Sequence, residues 1–352
     1  MANLWEILME DENKTFNSLS EILDYTKDYP TIMDCFIKAS NIIEKFKKPV
    51  CSISGGKDSD IMLDIMTKVD TQHKVIYVWL DTGIEYQATK NHLDYLEQRY
   101  GIKIHRERAI KPIPAACKEY GYPFVSKHIS EMMYRLQKHN FKWEDESFET
   151  LISKYPKCKS ALQWWTNHKQ DTNKGYSQFN INYNKYLKEY IVLNPPKFKI
   201  SSKCCDYAKK KVAHNYENSN NCDLSIIGIR KSEGGVRTVA YKNCFSENDN
   251  KISQYRPLFW FTDEDERNYE NLFNIVHSDC YTIYGLKRTG CVGCPYGKEL
   301  SNEIAIMEQY EPKLAKAANN IFKDSYEYTK KYRQFVTDMK ADKGGDSIAK
   351  ND

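Results

Sequence analysis

The sequence predicts an α/β fold built on a parallel sheet. Two features of residues 49–105 predict it: short apolar runs alternate with segments of helical period, and the first apolar run stops abruptly at a glycine pair. A third feature, a second apolar run closing on Asp81-Thr82-Gly83, sets another polar turn at the same expected sheet edge.

Taken in order, residues 1–48 read as N-terminal helices. Ile32, Cys35, Phe36, Ala39, Ile42, Ile43 and Phe46 recur at the spacing of one helix face. Pro49–Ile53 is a short buried strand. After Gly55-Gly56, Ile61, Met62, Ile65, Met66 and Val69 give the next helix its apolar side. Lys74–Leu80 is the second strand, Thr89–Tyr100 the second core helix, and Ile102–His105 the third strand. Such alternation implies parallel strands joined by right-handed crossovers. Residues 49–122 therefore form the first part of the core, and 123–200 read as a basic, aromatic helical insertion with no strand run until about Ile191. Residues 201–297 return to the core through Asp223–Arg230. Residues 298–352 read as one helix from Ser301 to about Lys340, followed by a polar tail from Gly344.

Composition narrows the function classes. A 41% hydrophobic content supports a packed interior, and no stretch reaches the roughly 20 apolar residues of a membrane span. The first residues show no basic segment followed by an apolar core, so a cytoplasmic chain without membrane contact is expected. Eleven cysteines in that setting are expected to be thiols rather than disulfides. The net charge of +4 is unevenly spread. Residues 123–212 hold 17 Lys and Arg against 8 Asp and Glu, a surplus that points to a polyanionic partner such as nucleic acid.

The chemistry concentrates in Ser54-Gly55-Gly56-Lys57-Asp58-Ser59. A strand that curls through two glycines into a helix turns its amides inward and adds the helix's positive end, which builds an anion site. Lys57 supplies a cation, Ser54 and Ser59 hydroxyls, and Asp58 a helix cap or a metal oxygen. The loop is not a Walker loop, because Cys51 stands at its first glycine position and Asp58 follows the lysine. Asp81, Thr82 and Gly83 lie at the same expected edge, where open α/β sheets bind ligands. Cys204-Cys205 and Cys291-Val292-Gly293-Cys294 are the notable thiols. An adjacent pair faces one site only from a turn or helix start, and zinc ribbons more often use two Cys-x-x-Cys pairs. Trp164-Trp165 reads either as a helical core contact or as a base-stacking pair. The eight histidines read as surface or satisfied core residues.

These residues resemble the PP-loop superfamily, specifically its phosphoadenosine phosphosulfate reductase-like branch. The Ser-Gly-Gly-x-Asp-Ser signature stands at 54–59 and the Asp-Thr-Gly-x-Glu pattern at 81–85. Gly228-Ile229-Arg230-Lys231-Ser232-Glu233 with Arg237 resembles the family's arginine segment, and Tyr255–Asp265 its Pro-Leu-x-x-Trp-Thr-x-x-Asp region. The resemblance implies an adenine nucleotide alpha hydrolase-like sheet binding ATP or an adenosine sulfonucleotide, with magnesium. It implies that Lys57, Asp58, Arg230 and Arg237 act in catalysis, and that 54–59, Asp81, Thr82, Gly83, Gly228 and Arg230 hold the nucleotide. It further implies that Cys204, Cys205, Cys291 and Cys294 hold a 4Fe–4S cluster, zinc being the alternative. The expected reaction is AMP- or pyrophosphate-releasing sulfur transfer, with a nucleic-acid acceptor and a sulfur-donor protein as partners. Sulfonucleotide reductases of this branch carry a C-terminal Glu-Cys-Gly thiol, whereas here no cysteine follows Cys294. Reduction proper, with Cys222, Cys244 or Cys280 as substitute thiol, and a nucleotide-sensing module without turnover are the alternatives.

Overall fold

A computed structural model of the protein describes residues 15–168, 180–233, 240–248 and 252–348, with side chains to residue 341. The chain divides into two compact units, one of residues 1–109 with 209–291, the other of 110–208 with 292–352.

The first unit is a six-stranded sheet: β1 Pro49–Ile53, β2 Ile76–Asp81, β3 Ile104–Arg108, β4 Leu224–Ile226, β5 Phe245–Ser246 and β6 Ser253–Tyr255, in spatial order β3-β2-β1-β4-β6-β5. All neighbours are parallel except β5 and β6. This is a mostly parallel α/β sheet with helices, as the alternation of residues 49–105 predicts. β1 sits between β2 and β4, pairing Cys51 with Tyr77 on one side and with Ile226 on the other. Strand order reverses there, which places a ligand crevice beyond the carboxyl ends of β1 and β4. Being covered on both faces, β1 buries Val50, Cys51 and Ile53. The helix Pro30–Lys45 starts on a proline whose missing amide hydrogen costs a helix nothing at that position. It buries Ile32, Cys35, Phe36, Ala39 and Ile43, the predicted face.

The second unit is helical, and its core gathers Phe124, Leu136, Phe141, Trp165, Ile191 and Tyr328. Several expectations are corrected. Ile191 lies in the helix Leu187–Leu193, because an apolar triplet serves a buried helix as well as a strand. Of the two readings of Trp164-Trp165 the helical core contact holds: they are 6% and 0% exposed, and Trp165 Nε1 donates to the Glu144 carbonyl at 2.8 Å. The C-terminal segment is two helices, Leu300–Tyr310 and Pro312–Ile348, broken where Pro312 opens the second. Gly344 lies inside that second helix and starts no tail.

Candidate active site

β1 hands directly to the loop 54–56 and the helix Lys57–Val69. Gly55 has φ +68°, and a Cβ there would stand 2.8 Å from Thr89 Cγ2, so only glycine makes this turn without strain. A Cβ on Gly56 would press on Ser54 Oγ and Tyr281 Oη at 3.2 Å. Ser59 Oγ accepts from the amides of Ser54 (3.2 Å) and Gly56 (3.1 Å) and donates to the Gly56 carbonyl (2.9 Å). Its buried hydroxyl is thus engaged in shaping the loop. Lys57 Nζ lies 5.5 Å from the centre of the Tyr281 ring. Tyr281 Oη in turn accepts from the Thr289 amide at 3.2 Å, so Tyr281 closes one wall of the loop.

Arg230, just past β4, meets three carboxylates: Asp58 Oδ1 at 2.8 Å, Asp263 Oδ1 at 2.7 Å and Glu266 Oε2 at 3.0 Å. A Cβ on Gly228 would lie 3.6 Å from Asp58 Cβ, so β4's outgoing chain runs against the first turn of the loop helix. The structure therefore brings Asp58, Gly228 and Arg230 together, and Asp58 pairs with Arg230, a contact not expected beside its cap or metal-oxygen role. Burial, then the Asp58 charge, pushes the Glu266 carboxyl up to about 7 against the pull of Arg230. Arg237 lies outside the described residues.

At the end of β2, Asp81 Oδ1 accepts from the Gly83 amide at 2.9 Å. Thr82 Oγ1 donates to Glu85 Oε1 at 2.7 Å and accepts from Cys291 Sγ at 3.4 Å. Cys291 also forms an isolated antiparallel bridge with Glu85. Burial raises the Glu85 carboxyl above its ordinary range, opposed first by Lys209, whose Nζ is 3.9 Å away.

One buried network had no trace in the sequence. Asp60, 1% exposed, receives His277 Nδ1 at 2.8 Å and His92 Nε2 at 3.1 Å. His277 Nε2 reaches Glu270 Oε1 at 2.8 Å. Burial opposes ionisation of Asp60, yet the His92 charge and the hydrogen bonds of both histidines hold its carboxyl below its ordinary range. Burial would lower His277, but hydrogen bonds to Asp60 and Glu270 outweigh it and raise the imidazole to about 9. A protonated imidazole thus sits behind the first turn of the loop helix, where it anchors Asp60.

The expected thiols separate differently. Cys291 belongs to the first unit, against Thr82; Cys204, Cys205 and Cys294 belong to the second. There Cys204 is hydrogen-bonded to Cys117, which raises its thiol, and to Cys205, which opposes that, with Cys294 also near. Cys117, fully buried on the helix Ile113–Tyr120, carries no motif that would have singled it out. Among the described residues no group of three or more His, Cys, Asp or Glu side chains is placed to hold a metal ion. Thiolates are the donors a 4Fe–4S cluster takes, so the chemistry of the four side chains fits one.

The phosphoadenosine phosphosulfate reductase domain matches residues 48–143. An uncharacterized protein of Methanocaldococcus jannaschii is 43% identical over 89 residues, 25% of this chain and 18% of that relative, so the match covers under a fifth of the relative's length. Among solved structures, phosphoadenylyl-sulfate reductase from Candida auris in a phosphate complex is similar with a TM-score of 0.41 and 11% identity, over 80% of this chain and 98% of that one. The U34-tRNA thiolase NcsA from Methanococcus maripaludis with its [4Fe-4S] cluster gives a TM-score of 0.35 and 14% identity, over 86% and 80% of the two chains. Among the described residues no helix is long and apolar enough to cross a membrane.

Proposed function

We propose that this chain, whose residues 48–143 match the phosphoadenosine phosphosulfate reductase domain, activates an acceptor with ATP and exchanges the activated oxygen for sulfur. The observation that carries the reading is the loop at the strand-order reversal, with its glycine turn against Thr89 and Arg230 held over Asp58. Loop amides, the helix's positive end and Lys57 would receive the β- and γ-phosphates. An acceptor oxygen then attacks the α-phosphorus, its bond to phosphorus forms as the bond to pyrophosphate breaks, and the loop stabilises the charge arriving on pyrophosphate. A sulfur nucleophile, delivered by a donor protein, subsequently displaces AMP from the adenylylated acceptor.

Arg230 is the residue poised to exchange partners. Its guanidinium faces a surplus of carboxylate, so a nucleotide phosphate would compete for it while Asp58 and Glu266 are released. Magnesium enters with the phosphates, and Asp58 is the oxygen of this chain suited to it, since that ion takes one or two carboxylates beside substrate phosphates. Cys204, Cys205, Cys291 and Cys294 remain the proposed donors of a 4Fe–4S or zinc centre on donor chemistry alone, and no step here passes through it. The basic stretch 123–212 supports a nucleic-acid acceptor.

The test is direct. The full chain with ATP, magnesium and RNA or DNA as acceptor should bind nucleotide and release pyrophosphate, and Lys57→Ala should abolish release. Release of sulfite from adenylylsulfate or its 3′-phosphorylated form would assign the chain to reduction instead. Tight ATP binding without any pyrophosphate, in the presence of RNA and DNA, would make it a sensing module. No binding of any of these nucleotides would overturn the reading.

A further inference from the structure

The second unit holds a cavity of about 260 Å³ between the helix Lys127–Lys138 and the segment Pro156–Trp165. Its charged lining is Glu131, Arg135, Lys138 and Lys157, with Tyr134 and His139 beside them. Glu131 is already neutralised: Arg135 Nε stands 2.9 Å from one oxygen and Lys203 Nζ 4.0 Å from the other. Lys203 also lies 5.6 Å from the centre of the Tyr134 ring. Among the described residues neither Lys138 nor Lys157 has an ion-pair partner, and both are exposed. Arg135 and Lys138 share one face of their helix, three residues apart, while Lys157 comes from the other wall. Two walls thus present cations to one concavity whose single carboxylate is spoken for.

We propose that this cavity is a docking site for the phosphodiester backbone of a nucleic acid, with Arg135, Lys138 and Lys157 as its phosphate contacts. It rests on the acceptor class of the reading above but on none of the residues of the loop. A single small anion would leave most of the surrounding charge unmatched. Lys142 and Lys159, exposed and with no carboxylate partner among the described residues, extend positive charge along the same stretch, and a polyanion meets charges so distributed. A lipid surface is the weaker match, because Ala161 is the only aliphatic residue lining the cavity and provides nothing to insert between acyl chains. The buried Trp164-Trp165 pair leaves backbone charge, rather than base stacking, as the means of recognition.

The experiment is fluorescence anisotropy of the full chain with labelled RNA and DNA oligonucleotides, single-stranded and duplex, across a salt series. Arg135→Glu/Lys138→Glu/Lys157→Glu should weaken binding on the order of 30-fold and make the plot of log affinity against log salt shallower by about 2 to 3. A control carrying the same charge change on the exposed residues Lys313, Lys316 and Lys323 should change affinity by less than about threefold. The milder Lys138→Ala/Lys157→Ala pair, read beside circular dichroism, separates lost contacts from lost fold. Comparing RNA with DNA identifies the source of the backbone. Equal losses in pocket and control variants, or none in either, would overturn the proposal. So would stronger pocket-dependent binding to vesicles rich in anionic phospholipid. At saturating acceptor the pocket variants should still release pyrophosphate from ATP wherever the wild type does. Failure of ATP turnover in the wild type would therefore count against the proposed reaction while leaving this site standing.

Discussion

Replacing His277 with Gln isolates the charge behind the loop helix. Glutamine can still donate a hydrogen bond to Asp60 but cannot carry the proton that Asp60 and Glu270 hold on the imidazole. The folded-state value of about 9, against an ordinary 6.5, corresponds to about 3 kcal/mol of stabilisation by the protonated form. The lowered Asp60 carboxyl reports the same interaction from the other side and is not added to it. The sign follows from proton binding. Between the two values the folded chain holds a proton that the unfolded chain has lost, so the contribution is complete below about pH 6.5 and fades as pH rises through about 9. Chemical denaturation of wild type and His277→Gln at a series of pH values should show a stability gap larger by about 3 kcal/mol at about pH 6 than at about pH 10. Any hydrogen bond the glutamine keeps or loses adds a constant offset only. A gap that stays level across that range would refute the protonated His277–Asp60 pair.

Gly55→Ala should destabilise the protein by about 1–3 kcal/mol and abolish ATP binding, read by melting and calorimetry, because it combines φ +68° with the Thr89 clash. Adding Thr89→Ser removes the clashing methyl but not the backbone strain, so the double variant should recover only part of the loss. Glu266→Gln should match wild-type stability near pH 4 and exceed it near about pH 8, since a carboxyl raised to about 7 loses folding free energy as pH climbs from its unfolded value. A stability difference of the opposite sign would show that its pairing with Arg230 outweighs its burial. Anaerobic purification should give about four iron and four sulfide per chain, lost in Cys204→Ala and in Cys291→Ala, as the proposed thiolate donors require. Iron retained in Cys291→Ala but lost in Cys117→Ala would reassign the donors to the second unit.

The legible part of this protein is the part whose physics is local. An apolar strand, two glycines and an amphipathic helix are contiguous, so β1 and its loop stand in the sequence almost as they stand in the fold, and Asp81-Thr82-Gly83 does the same for β2. Where length runs short the signal fails: β5 has two residues and β4 three, too few for any period, and the apolar run beyond Ile226 forms the crevice lip instead of more strand. The helix–strand ambiguity of Ile191-Val192-Leu193 is the same failure in reverse. The basic surplus of 123–212 could be counted, but not the fact that Lys203 and Arg135 cancel Glu131 and leave Lys138 and Lys157 open. Asp60 and His277 stand 217 residues apart and meet only because both elements return to one sheet edge. Arg230, read in sequence as a catalytic and nucleotide-facing arginine, is gripped by Asp58, Asp263 and Glu266, contacts that no sequence pattern foretells. A loop motif thus announces that phosphate can bind, whereas the carboxylates and imidazole around it, drawn from distant segments, set how tightly and at what pH.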